Sequence, residues 1–190
     1  MAKYLDKTKL LALDKARKEI FDIRESIFKE YAIDLLDTDS LSSLTIYNIV
    51  SEYDPDYNIN FARNGEDALA RGVEIEQKCS KVAKQKRSKQ YPPSVFLFHA
   101  MGDLDSERYI FSNRDKATLD VVKIYDISDP VNVAKVKAHL HSERKLWQAR
   151  CDINKKFMKR DVISISESML LNDLLITERV TIKGCAVFKA

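Results

Sequence analysis

The chain has 190 residues, 45% of them hydrophobic, 32 basic against 29 acidic side chains, and a net charge of +3. That length and composition allow one real apolar core and exclude a disordered or repetitive protein, so a single domain is expected over 1–190. No apolar run approaches the roughly 20 residues needed to span a bilayer, and the first residues lack a signal-peptide core, so a cytoplasmic protein with no membrane partner is expected. Cys79, Cys151 and Cys185 are too few and too scattered for a disulfide framework or a zinc site, and read as core thiols.

The N-terminal part, about 1–52, reads as helical. Leu13, Ala16, Ile20, Ile23, Ile27 and Tyr31 recur at steps of three and four, which draws one apolar stripe on a cylinder otherwise rich in Lys, Arg, Asp and Glu. The stripe is expected to cover a sheet, with a dimer seam as the alternative. A break at Asp37-Thr38-Asp39-Ser40 precedes a second helix from about Leu41 to Ser51, capped by Asp39 or Ser40.

The sheet is expected to begin after a polar loop, in a catalytic region of about 61–127. Asp67 to Ala70 is short enough to be one arm of a hairpin, Arg71-Gly72 has the chemistry of a tight turn, and Val73 to Cys79 alternates as the second arm. Successive strand side chains point to opposite faces, so Glu74, Glu76 and Lys78 share a charged, displayed face while Val73, Ile75, Gln77 and Cys79 face the core. Closing the hairpin brings Asp67 toward Glu76. Two neighbouring carboxylates repel unless a divalent cation or a lysine sits between them, and hard oxygen ligands of this kind suit magnesium. Lys78 would face the same centre, placed to orient or help deprotonate a water, or to neutralise charge on a phosphorane-like transition state.

Asn64-Gly65-Glu66-Asp67-Ala68 followed by Glu76-Gln77-Lys78 on the next strand resembles the PD-(D/E)xK nuclease superfamily, and within it the type II restriction endonucleases. The resemblance covers about fifteen residues closely. It implies an α/β (α+β) fold with a mixed central sheet flanked by helices, and hydrolysis of phosphodiester bonds in double-stranded DNA. It further implies a Mg2+ ion, with Mn2+ as a possible substitute, held by Asp67, Glu76 and the Gln77 backbone carbonyl. Asp67, Glu76 and Lys78 would be the catalytic set. The literal Pro-Asp pair of this sequence is Pro55-Asp56, which makes Asp56 an alternative first acid. Asp67 is preferred because it opens the strand that pairs with Glu-x-Lys. An acid from a preceding helix is implied as well, and Glu52 is the nearest candidate. Two copies on a palindromic site would form a homodimer. A non-catalytic DNA-binding or interaction module, and a repair or phage nuclease that recognises structure, are the alternatives.

Downstream, Gln77 to Gly102 contains no acid, while Lys81, Lys84, Lys86, Arg87 and Lys89 follow the proposed site as a DNA-binding segment. Ser94 to Ala100, Arg108 to Ser112 and Leu119 to Ile127 read as strands, extending the hairpin to a sheet of about five. His99 beside such a strand could touch substrate or serve as a structural histidine. The remainder, about 129–190, reads as a helix from Asp129-Pro130 to about Arg150, a strand from Asp161 to Ser166, a short helix from Glu167 to Leu175, and a final strand or hairpin from Arg179 to Phe188. Lys155, Lys156, Lys159 and Arg160 precede that strand.

Overall fold

The structure is a computed structural model that describes residues 7–31, 34, 38–60, 67–85, 88, 90–153 and 161–190. Asn64, Gly65, Glu66, Lys86, Arg87, Lys89, Lys155, Lys156, Lys159 and Arg160 lie outside the described residues. The chain divides into two compact units, Met1–Ser42 and Ser43–Ala190.

The first unit contains α1 (Lys7–Tyr31) and the start of α2 (Thr38–Val50). The helix forms as the periodicity demands, and its polar side carries ion pairs one turn apart, Asp14 with Arg17 at 2.9 Å and Asp14 with Lys18 at 3.1 Å. Of its stripe, Leu13, Ile20 and Ile23 are more than half exposed and Ile27 is half-buried. The start of α2 also differs from the expected Leu41, because the helix begins at Thr38.

The larger unit is built on a mixed seven-stranded sheet. Its strands are β1 (Tyr57–Ile59), β2 (Ala68–Ala70), β3 (Val73–Val82), β5 (Arg108–Asp115), β6 (Val121–Ile127), β8 (Glu178–Ile182) and β9 (Cys185–Lys189), while β4 (Val95–His99) and β7 (Val162–Ser166) form a separate antiparallel pair. The order across the large sheet is β1-β2-β3-β5-β6-β9-β8, with parallel joints at β3/β5 and β6/β9 and antiparallel pairing elsewhere. The expected sheet of about five strands is therefore corrected in two ways. The sheet gains β1, β8 and β9, and the Ser94–Ala100 strand leaves it to pair with β7, Phe98 opposite Ile163 and Phe96 opposite Ile165.

Alternation along β5 divides the core. Tyr109 and Phe111 point to one face, where Phe96 and Phe98 of β4, Ile163 and Ile165 of β7, and Val136 and Leu140 of α3 (Pro130–Ile153) close over them. Phe111 lies 5.0 Å from Phe96 and 6.0 Å from Phe98 between ring centroids, so the small sheet is fastened by aromatic contacts. Ile110 points to the other face, with Ile75, Ile124, Val187 and the Ile46, Ile49 and Val50 side chains of α2. The short helix α4 (Glu167–Asn172) follows β7 directly, its N-cap supplied by the Ser166 hydroxyl accepting from the Met169 N–H.

Two hairpin turns set the register. Arg71 and Gly72 have φ of 54° and 80°, and Lys183 and Gly184 have 47° and 79°, the pair of left-handed residues that a two-residue type I′ turn needs. With that turn, Ala70 pairs Val73 and Ala68 pairs Ile75, which places residue 67 opposite 76. A Cβ at position 72 would meet no neighbour, so Gly72→Ala tests backbone strain alone. It is expected to cost about 1 kcal/mol of stability in urea unfolding. An unchanged midpoint would show that the turn does not hold the hairpin in this form.

Candidate functional site

In the parallel β3/β5 ladder Glu76 stands beside Tyr109 and Lys78 beside Phe111, so both charged side chains point to the face that β4 covers. The expected displayed face is therefore partly roofed. The side chains of Glu76 and Lys78 are only 19% and 25% exposed, and the Lys78 ammonium lies 5.3 Å from the centre of the Phe98 ring. Toward the hairpin tip on the same face the cover ends, and Leu69 and Glu74 are exposed.

Asp67 completes the group from the other arm. Its Oδ2 accepts the Gln77 backbone N–H at 2.8 Å and stands 3.6 Å from Lys78 Nζ, while the same ammonium contacts Glu76 Oε1. Two carboxylates and one ammonium thus meet on one β-ribbon, and the hydrogen bond to Gln77 fixes where Asp67 sits. In a strand the N–H and C=O of a residue leave on the same side, so the Gln77 carbonyl is directed to the same strand edge as its N–H.

The surroundings set the charge states. Burial raises the Glu76 carboxyl above the usual glutamate range, and the charges of Asp67 and Asp103 raise it further, against the opposing pull of Lys78. Burial alone would depress the Lys78 ammonium, but Asp67 and Glu76 more than offset it, so Lys78 is held charged to a higher pH than an ordinary lysine. A lysine in this state is a donor and a positive charge, not a base.

The other sequence-derived candidates lie elsewhere. Asp56 pairs with Arg71 at 2.6 Å, at the opposite end of β2 from Asp67, so the Pro-Asp pair does not join Glu76. Glu52 pairs with Lys183 at 2.5 Å on the β8/β9 turn and brings no third acid to the cluster. His99 is exposed beside Phe98, and alternation along β4 turns it away from Lys78; its Nδ1 accepts the Met101 N–H at 3.2 Å. Lys81 is exposed on the face of β3 opposite to Lys78, and Lys84 sits 5.4 Å over the Tyr91 ring. The charged residues of α3 act locally: His141 pairs with Asp105 at 2.9 Å and Arg144 donates to the Gly102 carbonyl, pinning the loop that carries Asp103.

Three functional or structural centres escaped the sequence reading. Asp103 contributes charge to Glu76, and its loop is anchored by the Tyr109 hydroxyl donating to the Leu104 carbonyl. Arg108 is buried against Asp126 through two hydrogen bonds of 2.8 and 2.6 Å and donates a third to Asp54 at 2.5 Å, while Tyr53 donates to Asp126. Glu167 is buried and accepts from Lys123, Tyr125, the Ser94 N–H and Asn113. The Arg108 and Glu167 groups are mutually satisfied, so each reads as a tie between elements.

A magnesium ion fits the donor set at the ribbon. Asp67 and Glu76 offer only hard carboxylate oxygens, and the position between them already accommodates a cation, the Lys78 ammonium. Among the described residues no group of three or more His, Cys, Asp or Glu side chains is arranged to hold a metal, so remaining ligands would come from backbone, water or phosphate. Among the described residues no helix is long and apolar enough to cross a membrane. No protein-family model matches the sequence, and a comparison with curated proteins gives no match.

Proposed function

We propose that the chain is a magnesium-dependent endonuclease acting on double-stranded DNA, of the site-specific type II restriction kind, working as a homodimer on a palindromic site. The observation that carries this reading is the meeting of Asp67, Glu76 and Lys78 on one ribbon, at the edge where the cover of β4 ends. Asp67, Glu76 and the Gln77 carbonyl would hold the metal, with Mn2+ as a substitute. When bound, magnesium supplies a polarised phosphoryl oxygen and a more acidic water. Hydrolysis forms a bond from the water oxygen to phosphorus and breaks the ester bond to the leaving sugar oxygen, which takes up a proton. The charged Lys78 is suited to donate to a non-bridging phosphate oxygen as negative charge builds.

A second reading has one observation in its favour. Lys78 already contacts both acids, so the triad can stand as an ion cluster without a metal, and the domain would then be a DNA-binding module without chemistry. Incubating the full chain with one long, defined DNA, with magnesium and with excess EDTA, separates the readings. Discrete fragments that vanish in EDTA are expected. General magnesium-dependent degradation would point to a structure-directed nuclease, and salt-sensitive binding without cutting to the module.

A further inference from the structure

The open face of the ribbon continues past the charged cluster onto β1. Asn58 stands opposite Leu69, and Leu69 opposite Glu74. One step along, Asn60 lies beside Asp67, because its N–H donates to the Asp67 carbonyl at 3.0 Å. Alternation therefore places Asn58, Asn60, Leu69, Asp67 and Glu76 on one face. Asn58, Ile59, Asn60 and Leu69 line a hollow of about 300 Å3, with Asn58 and Leu69 exposed and Asn60 half-buried. None of these side chains takes part in the chemistry above.

We propose that this hollow is a base-reading subsite, in which the Asn58 amide hydrogen-bonds adenine in the major groove and Leu69 packs on the methyl group of the paired thymine. Charge favours a base over a phosphate. The polar side chains of the hollow are neutral amides, and the charged side chains beside them on the same face, Asp67 and Glu74, are acids that repel a phosphate. Backbone phosphates are held mainly by Lys and Arg, whereas base edges are read by uncharged groups as well. An amide offers a donor and an acceptor side by side, the complement of N7 and the N6 amino group of adenine, and an apolar side chain is the partner of the thymine methyl. Asn58 and Leu69 are cross-strand neighbours, so the two contacts fall on one base pair. Shape agrees, because β1 and β2 form an antiparallel ribbon at the edge of the sheet and the major groove admits such a ribbon. Asn58 is also the diagonal neighbour of Asp67, a separation of about 7–8 Å between backbones, which sets the base it meets close to the bond that the metal site cuts.

The inference rests on the double-stranded DNA reading but not on the hydrolysis, so binding tests it. The full chain is incubated with a pool of randomised duplexes, with calcium in place of magnesium, and the bound fraction is sequenced. Wild type is expected to prefer an A·T pair at one position by at least about fivefold. Asn58→Ala is expected to lose that preference and keep those at other positions, while Asn58→Gln, whose amide presents the same two groups, retains it. Replacing the paired thymine by deoxyuridine is expected to weaken binding by wild type and leave Leu69→Ala unaffected. A pool that wild type does not enrich, a preference unchanged in Asn58→Ala, or a loss spread evenly over all positions would each overturn the proposal. A chain that selects its sequence through Asn58 yet cuts nothing in magnesium would overturn the nuclease reading alone.

Discussion

Glu76→Gln is expected to lower magnesium-dependent cleavage about 100- to 1,000-fold while leaving the fold and most DNA binding intact. The amide keeps the volume of the side chain and an oxygen toward Lys78, so it removes the charge a cation needs without opening a hole under Phe98. Asp67→Asn should behave alike, because its carbonyl oxygen can still accept the Gln77 N–H. Lys78 needs a different choice. Truncating it to Ala would remove the packing on Phe98 as well as the counter-charge of Glu76 and Asp67, and any lost activity would mix chemistry with local collapse. Lys78→Met retains the packing on Phe98 and is expected to lose cleavage by a similar factor. Single-turnover digestion checks all three against circular dichroism of the same samples. Full activity in Glu76→Gln would remove Glu76 from the chemistry.

Glu167→Met is expected to cost about 3 kcal/mol of stability at neutral pH, lowering the melting temperature by roughly 10 °C. This carboxylate joins α4 to β6 and to Ser94 just before β4, and its removal leaves the buried Ser94 N–H and Tyr125 hydroxyl, and the half-buried Lys123 ammonium, without this partner. Burial alone would raise its carboxyl, but the hydrogen bonds from Lys123, Tyr125 and Ser94 more than offset that and hold it below the usual glutamate range. A depressed carboxyl stabilises the fold above its unfolded value and loses that contribution as the pH falls through its folded value. The difference between wild type and Glu167→Met in urea unfolding should therefore be largest near neutrality and shrink in acid. A variant as stable as wild type at pH 7, or a gap that widens in acid, would mean that the network does not operate as drawn.

How much of this was legible in the sequence depends on how local the cause is. The β2/β3 hairpin was readable because its turn, Arg71-Gly72, and its alternation lie within a dozen residues, and the pairing of 67 with 76 follows from them. The preference for Asp67 over Asp56 came from the same local logic and agrees with where the two side chains lie. The stretch from Arg179 to Phe188 was readable only as a strand or a hairpin, and it is the β8/β9 hairpin. What failed was long-range. β4 looks like any apolar strand, and nothing within it says that its partner is β7, more than sixty residues on. Without that pairing the roof over Lys78 was invisible, and the charged face of β3 read as open. Glu52 seemed close to the site by position in the chain, but Lys183, which takes it, is brought in by the far end of the sheet. β1 was hidden in a polar run only three residues long, stabilised by its neighbour β2 rather than by its own pattern. Glu167 was read only as the start of a short helix, because an acid after a strand carries no sign of being buried until the four groups that donate to it are assembled.

The central claim, that this ribbon gathers a divalent cation, is tested most directly by titrating the full chain with manganese and following the loss of its free electron-paramagnetic-resonance signal. One site per chain is predicted, displaced by magnesium, absent in Asp67→Asn and in Glu76→Gln, and weakening in acid from a pH above that of an ordinary glutamate because Glu76 must first release its proton. Manganese that stays free, or binds equally well to both variants, would contradict the account.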